Sequence, residues 1–391
     1  MNLYLDLRVI SAVPDAYKQD AKALMQLSGA NIGNYAFRHG LSSLTDLTGY
    51  SVMAYSEAQH AIGIEQPGRV LVSCANWLSA TPDYERGNGV RASIIDKVQG
   101  PVVSFGLGAQ ASHGAATLEL GPNTQRLAHV LAGKCQSLSV RDQFTAEVLD
   151  GLGIRNLTIT GCPSNFINLD PTLGARVLAR CGSGAAAAAD GWTQVRSHIS
   201  EYSGGHAFSG RVLKATLEVL GTAPGFYVVQ SPVLMPFVLG ESRDVPADYV
   251  SNAPESMRGA GNVGTVLRRS ALHFSSIEAW LDFARSCDVA FGMRIHGSMI
   301  PLQAGTPSLV IGHDSRTSGL AGFMGIPTLS PEAFLDTVQT GPAKLFEVIA
   351  AGMESYDRRR AELGRTMKAY LEGNGVPCSN ALLNFCNQAQ A

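Results

Sequence analysis

Between Ser275 and Pro327 the chain switches repeatedly between helical and strand-like hydrophobic patterning, and that alternation restricts the folds open to it more than any other feature. Ser275-x-x-Glu278 has capping-box spacing, and Ile277, Trp280, Leu281 and Ala284 recur on one face, which predicts a helix that covers a sheet. A short apolar run at Asp288–Phe291 leads into Gly292-Met293-Arg294-Ile295-His296-Gly297. Ser298–Ala304 then reads as a helix stopped by Gly305, and Ser308–Ile311 as a second strand before Gly312-His313-Asp314-Ser315-Arg316. A helix between two such runs makes them parallel neighbours. Arg294 and His296 then leave the carboxyl end of one strand, and His313, Asp314 and Arg316 that of the next, where open α/β sheets bind ligands. Gly297 and Ser298 fall at a helix N-terminus, whose N–H groups, with two guanidiniums and an imidazole, describe an anion site. The plainer reading is that Arg294 caps a neighbouring helix and His296 is a satisfied buried histidine; two successive strand ends carrying such groups weigh against it.

At 391 residues the chain exceeds one ordinary core and suggests about two domains. Its net charge of −2 argues against a nucleic-acid partner. The start, Met1 to Arg8, places charges within an apolar run and does not indicate export, and the longest apolar stretch, Gly225–Gly240, is interrupted by prolines and too short to span a bilayer. Seven dispersed cysteines without a Cys-x-x-Cys pair suit reduced thiols in a cytoplasm and neither a disulfide frame nor a zinc site.

The first half repeats the alternation. Ala21–Leu27 reads as strand or helix, and Ser28–Asn34 is a glycine- and asparagine-rich turn before a helix over Tyr35–Leu47, so Asn31, Gly33 and Asn34 either hold an anion or simply make the turn. Val70–Cys74 and Pro101–Phe105 read as strands. Gly106-Leu107-Gly108-Ala109-Gln110 lacks the third glycine and the downstream acid of a dinucleotide fingerprint, so Gly106 and Gly108 let backbone approach a ligand or a loop, with Gln110 at the same cleft. Ser137–Val140 ends at Arg141-Asp142, either a structural pair or a cleft cation. A helix marked by Thr145, Val148, Leu149 and Leu152 and a strand at Asn156–Thr160 complete a parallel, doubly wound domain. The expected organisation is an N-terminal Rossmann-like domain over 1–180, a low-complexity linker or insertion over 181–205, a C-terminal Rossmann-like domain over 206–345 and helices over 346–391. Pro232–Gly264 reads as a long loop region. Arg358, Arg359, Arg360, Arg365 and Lys368 read as a solvated basic face, with peripheral membrane contact as the minority reading.

Assembled, these pieces resemble the polysaccharide pyruvyl transferase family: Asn31-Ile32-Gly33-Asn34, Val140-Arg141-Asp142 with Thr145 and Leu149, Gly161-Cys162-Pro163-Ser164, Arg294-x-His296-Gly297, and Gly305-x-Pro307 leading to Asp314-x-Arg316. Asn34 stands where the family commonly has an acid, and Arg316 where it commonly has a lysine. The resemblance implies a fold similar to GT-B glycosyltransferases, two Rossmann-like domains facing across a cleft, and transfer of a pyruvyl group from phosphoenolpyruvate to a sugar as a ketal. Phosphoenolpyruvate offers a phosphate and a carboxylate, which call for forked cationic donors; Arg294, Arg316 and the helix start at Gly297 and Ser298 are the expected donor-binding groups. Ketal formation needs a proton delivered to the methylene carbon and a base for the hydroxyl proton. His296 is expected to serve as the acid or to bind phosphate, with His313 and Asp314 as candidates for the base. The acceptor is expected to be a saccharide and the protein cytoplasmic, with a lipid-linked acceptor at the inner face of the membrane as one version of that reading. No cofactor and no metal site are expected, and the absence of Asp-x-Asp gives no support to a metal-bridged nucleotide-sugar site. Two alternatives are a GT-B-type glycosyltransferase using a nucleotide sugar, whose pyrophosphate the same crevice suits, and a non-catalytic sensor of phosphate ligands.

Overall fold

The computed structural model describes residues 2–6, 11–111, 118–257 and 262–389, with Ser315 and Arg316 described by their backbone alone. Two parallel sheets carry the architecture. In the first, β1 (Asn2–Leu5) lies between β2 (Tyr50–Met53) and β3 (Arg69–Ser73), and β3 pairs with β4 (Val102–Phe105). A parallel bridge between Leu107 and Val140 brings β5 (Leu138–Val140) alongside, paired in turn with β6 (Leu157–Ile159). Side chains alternate across this sheet. Leu3, Leu5, Val70, Val72 and Val102 enter an apolar cluster on one face, and Tyr4, Leu71, Val103 and Phe105 a larger one on the other.

The second sheet comprises β7 (Ser197–Ser200), β8 (Gly225–Val228), β9 (Ala271–Leu272), β10 (Val289–Gly292), β11 (Ser308–Ile311) and β12 (Thr328–Leu329) in the order β9-β8-β7-β10-β11-β12. The order reverses between β7 and β10, so the crevice beyond their carboxyl ends is where a doubly wound sheet takes its ligand. The predicted helix before β10 is present one residue later than its capping pattern suggested. It runs from Ile277 to Ala284, with the Ser276 hydroxyl accepting from the Ala279 N–H.

The two halves share the larger apolar cluster, which runs from Tyr4 and Phe105 through Trp280 and Phe291 to Tyr370. The helix Tyr356–Gly373 helps to join them. Its Tyr356 hydroxyl donates to the Asn165 side chain at 2.9 Å, and its Tyr370 hydroxyl donates to the Ser104 carbonyl at the end of the first sheet.

Three expectations need correcting. The stretch 181–205, read as a linker, is instead the end of the helix Leu173–Ala187, two short turns and β7, the first strand of the second sheet. Alanine runs favour helix, and Gly184 fits because a Cβ there would meet the Phe346 ring at 2.5 Å. The residues Pro232–Gly264, read as a loop, hold short helices at Met235–Val238 and Ala247–Ser251 and the start of Asn262–Ser270; residues 258–261 lie outside the described ones. The basic run does not form a stripe, because Arg360 is fully buried against the Asp170 and Asn168 carbonyls and the Arg359 Nε donates to the Phe323 carbonyl.

Candidate active site in the cleft between the sheets

The carboxyl edges of both sheets face one cavity. The first half contributes Asn31, Asn34, Ala75, Asn76 and Arg141, and the second Ser203, Gln230, Met293–His296, His313, Thr317 and Leu320. None of these lining residues is acidic. The halves are tied across the cleft by backbone, since the Ile32 N–H donates to the Gln230 carbonyl at 3.0 Å. The turn that makes this possible is specific: the Asn31 side chain accepts from the Gly33 N–H at 2.9 Å, and the helix Asn34–Leu44 starts there. Gly33 is needed for close approach. A Cβ at that position would come within 2.9 Å of both the His296 Cβ and the Gln230 Oε1, so the first turns of this helix and of the helix Ile295–Gln303 lie against each other.

Arg294 is the N-cap residue of Ile295–Gln303, and its Nε lies 3.4 Å from the carboxylate of Glu201. Glu201 was not recognised in the sequence. It follows β7, is 1% exposed, and accepts from the Gln230 and Ser231 N–H groups, the Ser231 hydroxyl and the Tyr249 hydroxyl at 2.8–3.3 Å. Burial holds the Tyr227 and Tyr249 phenols well above their ordinary range, with the Glu201 charge adding to it, so Tyr249 stays a donor. Glu201 is therefore a fixed strut behind Arg294.

His296 is buried on the first turn of the same helix, its Nε2 3.7 Å from the Cys162 Sγ, which in turn accepts from the Ser164 hydroxyl. The Phe37 ring lies 6.1 Å from the imidazole, and the Arg141 guanidinium sits 5.6 Å from the same ring. Arg141 donates to the Asn76 side chain at 2.7 Å and is backed by Gly106, whose φ of 63° favours glycine, and by Gly108, where a Cβ would lie 3.0 Å from the Arg141 Cδ. These two glycines thus seat Arg141. Gln110 is not among the lining residues and pairs with Ser79 in a two-residue bridge.

Other candidates are taken up by structure. The Gly297 N–H donates to the Arg294 carbonyl at 2.9 Å, and a Cβ there would strike Ser200 at 2.3 Å. The Ser298 hydroxyl, fully buried, donates to the Leu309 carbonyl at 2.9 Å. Both residues pack the helix onto the sheet, because that helix begins at Ile295, three residues earlier than the sequence pattern suggested. Asp314 caps the helix Ser315–Met324, its Oδ1 accepting from the Thr317 N–H, and only its neighbour His313 lines the cleft. Arg316 stands in the first turn of that helix, and its side chain lies outside the described residues. Gln230 emerges as an unforeseen member: it is fully buried on the cleft wall, and neither end of its carboxamide has a hydrogen-bond partner within the protein.

Two parallel Rossmann-like sheets thus bring one arginine each to a shared cleft whose described lining residues include no carboxylate. The profile of the polysaccharide pyruvyl transferase family matches residues 46–315, and the chain belongs to that transferase family. No curated protein sequence matches it. Among solved structures, the chain is similar to the UDP-bound MnaA of S. aureus (10% identity, 81% of this chain and 78% of that one, TM-score 0.41). It is also similar to a Methanocaldococcus jannaschii UDP-GlcNAc 2-epimerase in complex with UDP-GlcNAc and UDP (10%, 81% and 79%, 0.39) and to the wall teichoic acid polymerase TagF (9%, 88% and 78%, 0.41).

Proposed function

We propose that the protein transfers a pyruvyl group from phosphoenolpyruvate to a saccharide hydroxyl pair, forming a ketal and releasing phosphate. The observation that carries this reading is the convergence of Arg141 and Arg294, one from each sheet, with the imidazole of His296 in a single cleft whose lining includes no carboxylate. The donor's phosphate and carboxylate require two separate cationic contacts, and two guanidiniums held by Asn76 and Glu201 suit them.

In this reading the His296 imidazolium donates its proton to C3 of the donor, C2 becomes electrophilic, and one saccharide oxygen bonds to it. Phosphate leaves with the electron pair of the C2–O bond, and the second saccharide oxygen closes the ketal. Of the two hydroxyl protons released, one restores His296 and the other leaves with phosphate. Negative phosphate in the cleft favours the protonated imidazole that the first step uses. We place the reaction in the cytoplasm on an exopolysaccharide precursor, supported by seven free thiols. Among the described residues, no helix is long and apolar enough to cross a membrane.

A thermal-shift comparison separates this from nucleotide-sugar transfer. A ligand bound by the native state at about 100 times its Kd adds about 2.7 kcal/mol of stability. Phosphoenolpyruvate is expected to raise Tm; a rise with UDP-sugars alone overturns the reading.

A further inference from the structure

His206, His313 and Asp314 come from two strand ends that flank β10. His206 lies on the loop after β7, and the other two follow β11. One donor atom from each of the three lies within 4.8 Å of the others. The two imidazole rings are 4.4 Å apart between centroids, and the His313 Nε2 lies 3.7 Å from the Asp314 Oδ2. Around a tetrahedral zinc with ligand bonds of about 2.0–2.1 Å, neighbouring ligand atoms sit roughly 3.4 Å apart. The His313–Asp314 spacing is already close to this, and the ligand atom of His206, which is only partly buried, lies within 4.8 Å of both.

The Asp314 Oδ1 accepts from the Thr317 N–H at 2.6 Å in the helix cap, and its Oδ2 is the oxygen 3.7 Å from the His313 Nε2. The other side of His313 is prepared in the way a metal-bound histidine requires. Its Nδ1 is 3.3 Å from the Ile311 carbonyl, and an Nδ1–H donating there puts the lone pair on Nε2, the atom that faces Asp314. The His206 loop is likewise held, since the His206 N–H donates to the Ser209 hydroxyl, which itself donates to the Ser203 carbonyl. The cluster opens onto a cavity that also contains Met293 and Glu332, and His313 lines both this cavity and the cleft.

We propose that His206, His313 and Asp314 form a binding site for a divalent transition-metal ion at the edge of the cleft. Two imidazoles and one carboxylate select zinc, cobalt, iron or manganese over magnesium or calcium, and three protein ligands leave coordination positions open toward the cavity. This assigns His313 and Asp314 to metal binding in place of the base role expected from the sequence. It does not depend on phosphoenolpyruvate being the donor, because the site is defined by the protein's own ligands.

The test uses the full chain, stripped with a chelator and titrated with Co²⁺ and with Zn²⁺ alone. Binding is read by metal content after dialysis and by the visible absorption of bound cobalt. One equivalent per chain is expected. His206→Ala and Asp314→Asn are expected to weaken binding by at least the roughly 10- to 100-fold that even outer-shell changes cost; asparagine retains the helix cap, so folding is preserved. His60→Ala, at an exposed histidine outside the cluster, is expected to leave binding unchanged. Failure to bind stoichiometric metal, or equal affinity in His206→Ala, overturns the proposal and makes the cluster an imidazole–carboxylate pair.

Discussion

Arg294→Lys isolates what the guanidinium fork contributes. The side chain has two obligations: its Nε faces Glu201, which is almost fully buried and already accepts four hydrogen bonds, and the residue also lines the cleft. A guanidinium meets both, because its five donors lie in one rigid plane. An ammonium cannot span both. At the 3.4 Å separation seen here, its attraction to Glu201 is on the order of 5 kcal/mol for an effective dielectric near 20, so the lysine stays on the carboxylate and the fold is kept. What is lost is one charge-assisted hydrogen bond to the donor anion, worth about 1.5–3 kcal/mol. With tenfold per 1.4 kcal/mol, KM for phosphoenolpyruvate is expected to rise roughly 10- to 150-fold. Steady-state kinetics with phosphate release as readout supplies KM, and a melting curve supplies the control, expected to move by no more than about 2–4 °C. A KM within twofold of wild type, with Tm unchanged, refutes the reasoning and leaves Arg294 as a counter-ion for Glu201.

Other consequences are equally direct. His296→Gln keeps hydrogen bonding but cannot deliver a proton, so turnover is expected to fall by about two to four orders of magnitude with donor affinity nearly kept; a lower Tm with normal turnover per folded molecule would assign the residue to packing. Within the helix Leu173–Ala187, Gly182→Ala has open space and is expected to stabilise by about 0.5–1 kcal/mol, whereas Gly184→Ala meets Phe346 and is expected to cost about 1–3 kcal/mol; equal, negligible effects on denaturant midpoints would restore the linker reading. His198 is fully buried, accepts the Trp280 indole N–H at 2.8 Å, and burial pushes its pKa down to about 3. The unfolded chain then takes up this proton first, so the contribution is complete above about pH 6.5 and is lost as pH falls toward 3, by up to about 1.4 kcal/mol per pH unit. His198→Phe is expected to be less stable at pH 7.5 but to have a flatter acid limb in Tm against pH; an unchanged slope would contradict this.

The parts of the fold legible in the sequence were those where strand and helix periods alternate cleanly, above all Ser275–Pro327. Arg294 and His296 were found through their places at a strand end. The strand β7 was missed because Ser197-His198-Ile199-Ser200 is mostly polar. It is nevertheless fully enclosed at the centre of its sheet, where the His198 Nε2 accepts from the Trp280 indole N–H. Missing the strand hid Glu201 behind it. Gly297 and Ser298 were misread for a geometrical reason, since a helix starting at Ile295 turns them into the packed interface and away from the cleft. Gln230 follows a recognised strand, but a lone glutamine gives no signal until the structure leaves its carboxamide buried and unpartnered.

The central claim concerns the donor and the bond made. Offering the protein phosphoenolpyruvate labelled with ¹³C, a set of UDP-sugars and a panel of saccharide acceptors in one reaction, with products resolved by NMR, decides it. The account expects a saccharide bearing a labelled ketal carbon, with phosphate released only when that acceptor is present. A saccharide extended by a sugar from the UDP donor, with phosphoenolpyruvate left unconsumed, would contradict it.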